Sequence, residues 1–203
     1  DANGAAGVAV ITTATVDLSA GGTIGQGVNG AIDTAVDTLN ATSNGDIDVL
    51  ESDGATLGVL DSSSAGDITV VSTSGDLLVQ SVTALSQTVT LNTVNGRILD
   101  GDGATDVDIA SDVAVLQSSA GIGATGDALD TDITTLQATA TAGNVVITEQ
   151  NDLVVESVVT GAGATAGDGN VTLRSETGDI ILGNGASTNV IVADQDTVRL
   201  EAG

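Results

Sequence analysis

Aliphatic residues alternate with Thr, Ser, Gln and Asp along several short stretches of this chain. Three stretches show the pattern most clearly: residues 67–72, 76–81 and 88–92. A period of two predicts short β-strands with one buried face. Pairs such as Asn44-Gly45 and Asn95-Gly96 separate such stretches. Glycine supplies positive φ and Asn tolerates it, so these pairs predict turns between the strands.

The pattern repeats at two levels. Residues 39–47 return as 136–145 and residues 66–70 return as 169–173, which defines a long internal repeat of about 100 residues. Within it, turn signals recur about every 21 residues. An antiparallel sandwich would show hairpin turns every 8–12 residues without a longer period, whereas a nested period is typical of stacked coils.

The predicted fold class is therefore all-β, a parallel β-helix or β-solenoid with about 20–25 residues per coil. We expect right-handed coiling from the usual bias of parallel crossovers. Residues 1–203 are interpreted as one continuous solenoid segment. An atypical repeat with a polar outer face normally closes a solenoid. Because none is recognisable, the ends are predicted to be uncapped.

Composition narrows the choice of core and of partners. The 203 residues include no Phe, Trp, Tyr, Met, Cys, Pro or His, so Val, Ile, Leu and Ala must fill the interior, and disulfides cannot stabilise it. Three basic residues against 28 acidic ones give a net charge of −25, which repels phosphate backbones and anionic membranes. No apolar run approaches the roughly 18 residues of a membrane-spanning helix. We therefore predict neither a nucleic-acid partner nor a membrane span.

Three segments carry a family resemblance: residues 16–24 (Val-Asp-Leu-Ser-Ala-Gly-Gly-Thr-Ile), 66–70 (Gly-Asp-Ile-Thr-Val) and 178–182 (Gly-Asp-Ile-Ile-Leu). This pattern, V-x-L-x-A-x-G-x-I followed by G-D-I-x-L, resembles the repeats of filamentous-haemagglutinin-type giant surface proteins of bacteria. The resemblance implies a secreted, rod-like β-helix displayed at the cell surface. The N-terminal secretion domain of that family is not matched in this chain.

The expected function is that of an extracellular structural protein, namely a stalk, an adhesin shaft or a self-assembling surface filament. The expected partner is the protein itself, either by head-to-tail contact or by continuation of a longer chain. A cell-surface or glycan receptor is the other partner that the resemblance suggests.

The acidic residues between 100 and 108 are the one candidate for specific chemistry. Asp100, Asp102, Asp106 and Asp108 supply the hard oxygen donors that Ca²⁺ prefers. The EF-hand spacing fails, because the twelfth position counted from Asp100 is Ser111 rather than Glu. A solvated acidic loop is the competing interpretation. No cofactor is expected to be required, and calcium is the only candidate.

Two other classes of function remain as alternatives. A carbohydrate- or calcium-binding display module is the first, and a polysaccharide-degrading β-helix enzyme is the less favoured second. Ser-His and Cys-His catalysis are excluded without His or Cys. Arg97, Arg174 and Arg199 lie in or beside repeat strands, where solubilising roles are expected. Paired carboxylates of a glycosidase are not distinguished by spacing, so the sequence predicts no enzyme.

Overall fold

A computed structural model describes residues 11–26, 30–62, 65–103, 105–161, 169–183, 190–193 and 196–203. The predicted fold class is confirmed, because the chain forms an all-β solenoid of about seven turns with no helix in the described ranges. These ranges contain sixteen strands: β1 (Ile11–Ala20), β2 (Ile32–Ser43), β3 (Ile47–Glu51), β4 (Ala55–Ser62), β5 (Ile68–Ser72), β6 (Leu77–Val79), β7 (Val82–Thr93), β8 (Ile98–Asp100), β9 (Ile109–Ser118), β10 (Leu129–Ala140), β11 (Val145–Glu149), β12 (Leu153–Thr160), β13 (Val171–Ser175), β14 (Ile180–Leu182), β15 (Ile191–Ala193) and β16 (Val198–Glu201).

Every pairing between these strands is parallel, which excludes the antiparallel sandwich. From β3 to β5, and from β5 to the second half of β7, the step from one coil to the next is 21 residues, as from Asp46 to Asp67. The step falls to 17 from Thr34 to Glu51 and rises to 27 from Asn170 to Thr197. Part of this variation arises inside the strands, where the register shifts between Leu39 and Ala41, between Ala84 and Thr88 and between Leu136 and Gln137.

The interior is a set of aliphatic columns that run along the stacking direction. One column contains Ala55, Leu77, Ile98, Ile122, Val145 and Val171, all of which are buried. Burying a side chain of this size contributes roughly 1.5–3 kcal/mol. A narrow interior of this kind is filled by medium-sized side chains, which agrees with the absence of aromatic residues from the sequence.

The long sequence repeat reappears as a repeat of strands. The strands β1 to β6 contain 10, 12, 5, 8, 5 and 3 residues, and β9 to β14 contain the same numbers in the same order. We call β1 to β8 the first repeat and β9 to β16 the second repeat. These six strands make corresponding pairings in the two repeats, and β15 and β16 together take the place of β7. Features of one repeat can therefore be compared with those of the other.

Side chains at one coil corner form a ladder that joins successive coils. In the first repeat, Asp46 Oδ1 accepts the N–H of Asp67 at 3.0 Å, and Asp67 Oδ1 accepts the N–H of Thr88 at 2.9 Å. In the second repeat, Asn144 Oδ1 accepts from the N–H of Asn170 and Asn170 Oδ1 from that of Thr197, both at 2.9 Å. The position requires an acceptor oxygen rather than a charge, which explains why Asp and Asn exchange there.

Candidate functional site

Three carboxyl groups meet at the junction of the two repeats. Asp100 ends β8, Asp108 immediately precedes β9, and Asp130 lies in β10, one coil further along. One carboxylate oxygen from each residue lies within 4.8 Å of the other two. Stacking brings Asp108 and Asp130 together: the N–H of Asp130 donates to Asp108 Oδ2 and the N–H of Asp108 donates to the Asp130 carbonyl, each at 2.9 Å. We call this group the three-carboxylate cluster.

The cluster overlaps the residues that the sequence suggested. Asp100 and Asp108 belong to it, whereas Asp102 and Asp106 are exposed and their carboxylates lie outside it. Asp102 contributes its main chain, since its N–H donates to Asp100 Oδ1 at 2.9 Å. Asp130 was missed because it is 22 residues from Asp108 along the chain. The coil period was the signal that could have found it. Calcium binding itself stays a prediction.

Burial governs the protonation of this cluster. Asp108 is only 1% exposed. Its burial, with smaller contributions from the charges of Asp100, Asp130 and Asp102, raises the pKa of its carboxyl group to about 8. The pKa of Asp130 is also raised, first by burial and then by the charge of Asp100. Without a cation, Asp108 therefore carries a proton at neutral pH, and a divalent cation would have to displace it.

A cleft of about 330 Å³ opens beside the cluster, and its charged lining comes from Asp100, Asp127, Asp130, Arg174 and Glu176. Arg174 donates to Glu176 at 2.8 Å across this lining. The other two arginines lie elsewhere, with Arg97 paired to Asp76 and Arg199 paired to Glu201. The wall of the cleft is thus rich in carboxylate oxygens and suits a cation better than an anion.

Two completely buried glutamates, Glu51 and Glu149, were not anticipated as special residues. Each ends a five-residue strand at equivalent places in the two repeats, and each is 0% exposed. We call them the corner glutamates. The alternation of the strand could have predicted their burial, because it places Glu51 on the same face as the buried Ile47 and Val49.

Each corner glutamate binds hydrogen-bond donors of two successive coils. Glu149 Oε2 accepts from the Thr131 hydroxyl at 2.7 Å and from the N–H of Ile133 at 3.1 Å, both in the neighbouring coil. Glu149 Oε1 accepts from the N–H of Asn151 in its own turn at 3.2 Å. At this corner β10 pairs first with β11 and then with β12. The carboxyl group therefore supplies the acceptor that the interrupted ladder lacks.

Glu51 has the same kind of environment in the first repeat. It accepts from the Thr34 hydroxyl at 2.5 Å, and from the N–H groups of Val36 at 3.4 Å and Ser52 at 2.9 Å. Burial raises the pKa of Glu51, and it raises that of Glu149 to about 7, although the hydrogen bonds from the Thr34 and Thr131 hydroxyls lower the two pKa values. Both side chains are buried in the interior, where they bind donors of the surrounding coils.

Comparison with known proteins does not assign the chain to a family. No protein-family model matches the chain, and no curated protein or solved structure matches it either. In the part of the chain that the structure describes, no helix is long and apolar enough to cross a membrane.

Proposed function

We propose that this protein is a structural β-solenoid of the cell exterior, serving as a stalk, an adhesin shaft or a surface filament without catalytic activity. The observation that carries the proposal is the parallel stacking of the described strands, from β1 to β16, around an interior of mainly aliphatic side chains. Stacked coils of this kind build an elongated body rather than a deep binding pocket. The extracellular location is supported by the resemblance of residues 16–24, 66–70 and 178–182 to surface-protein repeats.

Durability outside the cell is the first expected property. Trypsin has only Arg97, Arg174 and Arg199 as cleavage sites. Arg97 and Arg174 flank or lie in paired strands, where cleavage requires local opening. We expect native protein to resist trypsin under conditions that fully digest it after heat denaturation, measured by intact mass over time. Rapid cleavage of the native protein after Arg97 or Arg174 would contradict the durable role.

Surface location has a direct test of its own. Antibodies against the folded chain, applied to intact producing cells and viewed by electron microscopy, are expected to label thin projections from the cell surface. Permeabilised cells provide the comparison. Labelling that appears only after permeabilisation would exclude an extracellular stalk or filament.

A second candidate function is cation binding at the three-carboxylate cluster, favoured by three convergent carboxyl groups beside an oxygen-rich cleft. We expect Ca²⁺ titration by calorimetry to reveal one site per chain that is lost in Asp108→Asn and Asp130→Asn. Affinity should increase as pH rises toward 8, because Ca²⁺ must displace the Asp108 proton.

Asp106→Asn is the matched control for this titration, since Asp106 is an exposed residue of the same acidic segment outside the cluster. It should bind Ca²⁺ like the unmodified chain. Equal binding by Asp106→Asn and Asp108→Asn, or no binding at all, would reject the site.

A further inference from the structure

The two repeats are joined by a strand pairing whose register the structure defines. Where the first repeat meets the second, β7 pairs with β9, and Val89 aligns with Ala114 while Leu91 aligns with Leu116. All four of these side chains are 0% exposed. We call this pairing of β7 with β9 the internal joint.

Both halves of the internal joint recur at the ends of the described solenoid. The strand β16 stacks on β13 as β7 stacks on β5, so Val198 is the counterpart of Val89. The strand β1 stacks on β2 as β9 stacks on β10, so Val16 is the counterpart of Ala114. The last strand, β16, thus corresponds to β7 of the internal joint, and the first strand, β1, corresponds to β9.

In the ranges that the structure covers, these counterparts have no neighbour on one side. The strand β16 pairs only with β13, and β1 pairs only with β2. Val198 and Leu200 are 43% and 38% exposed, whereas their counterparts in β7 are fully buried. An unpaired strand edge with exposed inward-facing aliphatic residues is a template for pairing with another chain.

We propose that β16 of one molecule pairs in parallel with β1 of a second copy, in the register of the internal joint, so that molecules join head to tail. The proposal rests on the structural role proposed above. It identifies the strands and register that make the contact. A heterologous contact of this kind builds an open filament.

The side chains that this register brings together are complementary. Val198 faces Val16 and Leu200 faces Leu18, which repeats the aliphatic columns of the interior. Between them Arg199 faces Asp17, two outward-pointing residues that are exposed in the single molecule. Opposite charges directly across a strand pair stabilise it, and like charges destabilise it.

The pair of Arg199 with Asp17 favours the head-to-tail orientation over other contacts between two copies. The chain carries a net charge of −25, so two copies repel one another in most orientations. Head-to-tail stacking places one of only three arginines against an aspartate of the neighbour. The next outward pair joins Glu201 to the uncharged Ser19, so no like-charge pair is created in this stretch.

Charge reversal tests the pairing. We expect Asp17→Arg and Arg199→Asp each to weaken self-association roughly tenfold or more, because each places like charges opposite one another. The double variant should associate within about threefold of the unmodified chain, since it restores an opposite-charge pair. Sedimentation velocity over a concentration series measures the effect. Asp112→Arg, an equal charge change on exposed surface in β9, should associate as tightly as the unmodified chain.

Disulfide trapping tests the register in a chain that has no native cysteine. When Ser19→Cys and Glu201→Cys proteins are mixed under mild oxidation, we expect a mixed disulfide. The pair Ser19→Cys with Arg199→Cys is two residues out of register, beyond the roughly 7 Å Cα separation that a disulfide spans. It should cross-link at least tenfold more slowly. Equal cross-linking by both pairs, or none in associated material, would overturn the inference.

Different results would overturn the head-to-tail contact and the proposed structural role. Protease-resistant rods on the cell surface that stay monomeric would overturn the head-to-tail contact and leave the structural role intact. An intact mass showing that native protein continues after Gly203 into another repeat would also overturn it, because the chain itself would occupy the edge. Protein that is neither rod-like nor protease-resistant would overturn the proposed function.

Discussion

Replacing Gly96 by alanine is expected to destabilise the solenoid by about 3 kcal/mol, at the upper end of overpacking effects. A Cβ atom at this position would lie 1.9 Å from the carbonyl oxygen of Gly75 in the adjacent coil. That carbonyl cannot move away easily, because the ladder holds the two corners together. The N–H of Gly75 donates to the Asn95 carbonyl at 3.0 Å, and the N–H of Leu77 donates to the Arg97 carbonyl at 2.9 Å.

Gly22→Ala is the matched control, since a Cβ at Gly22 would meet nothing within 4 Å and its φ is not positive. We expect it to change stability by less than about 0.5 kcal/mol. Chemical denaturation followed by circular dichroism measures both variants. Equal stability of Gly96→Ala and Gly22→Ala would contradict the close stacking of coil corners.

The second large effect concerns pH and the corner glutamate of the second repeat. Burial raises the pKa of Glu149 to about 7 in the folded protein, against an ordinary value of 4.5, so the folded state binds more protons between these pH values. The stabilisation is therefore fully present below pH 4.5 and is lost as pH rises through 7. The shift corresponds to about 3 kcal/mol.

The neutral side chain fits the observed geometry. A protonated Glu149 Oε2 can donate to the Thr131 hydroxyl at 2.7 Å, while that hydroxyl donates to the Thr148 carbonyl at 3.3 Å. The charge of Asp132 also raises the pKa of Glu149, and a side-chain hydrogen bond with Asp53 also raises that of Glu51. Both act in the same direction as burial.

Glu149→Gln should remove this dependence, because the amide is always neutral and an oxygen at the position of Oε1 can still accept from the N–H groups of Ile133 and Asn151, which both lie 3.2 Å from Oε1. We expect the variant to match the unmodified chain near pH 5 and to be more stable at pH 8, measured by thermal and denaturant unfolding. Glu156→Gln is the control in the same repeat, where the side chain is only half-buried. A Glu149→Gln difference that does not vary with pH would refute the prediction.

The strands were largely predictable because alternation and burial coincide in a solenoid. The predicted strands at 67–72, 76–81 and 88–92 correspond to β5, β6 and the second half of β7. The first half of β7 was not predicted, since alternation is broken near Ser86, which has a φ of 62°, and the register shifts between Ala84 and Thr88. A local irregularity of this kind is hidden from a period-two search.

The candidate site was predictable only in part, because stacking brings together residues that are far apart along the chain. Sequence proximity grouped Asp102 and Asp106 with Asp100 and Asp108, whereas stacking brings in Asp130 from the next coil. The corner glutamates were not predicted from the sequence. Their burial depends on donors from a neighbouring coil, and variable coil lengths prevent those partners from being assigned by counting residues.

Electron microscopy of the native material would show whether this protein is a structural rod of stacked parallel coils. We expect elongated, continuous rods with an axial spacing of about 4.8 Å, the distance between neighbouring strands. Compact particles without that axial spacing would contradict it.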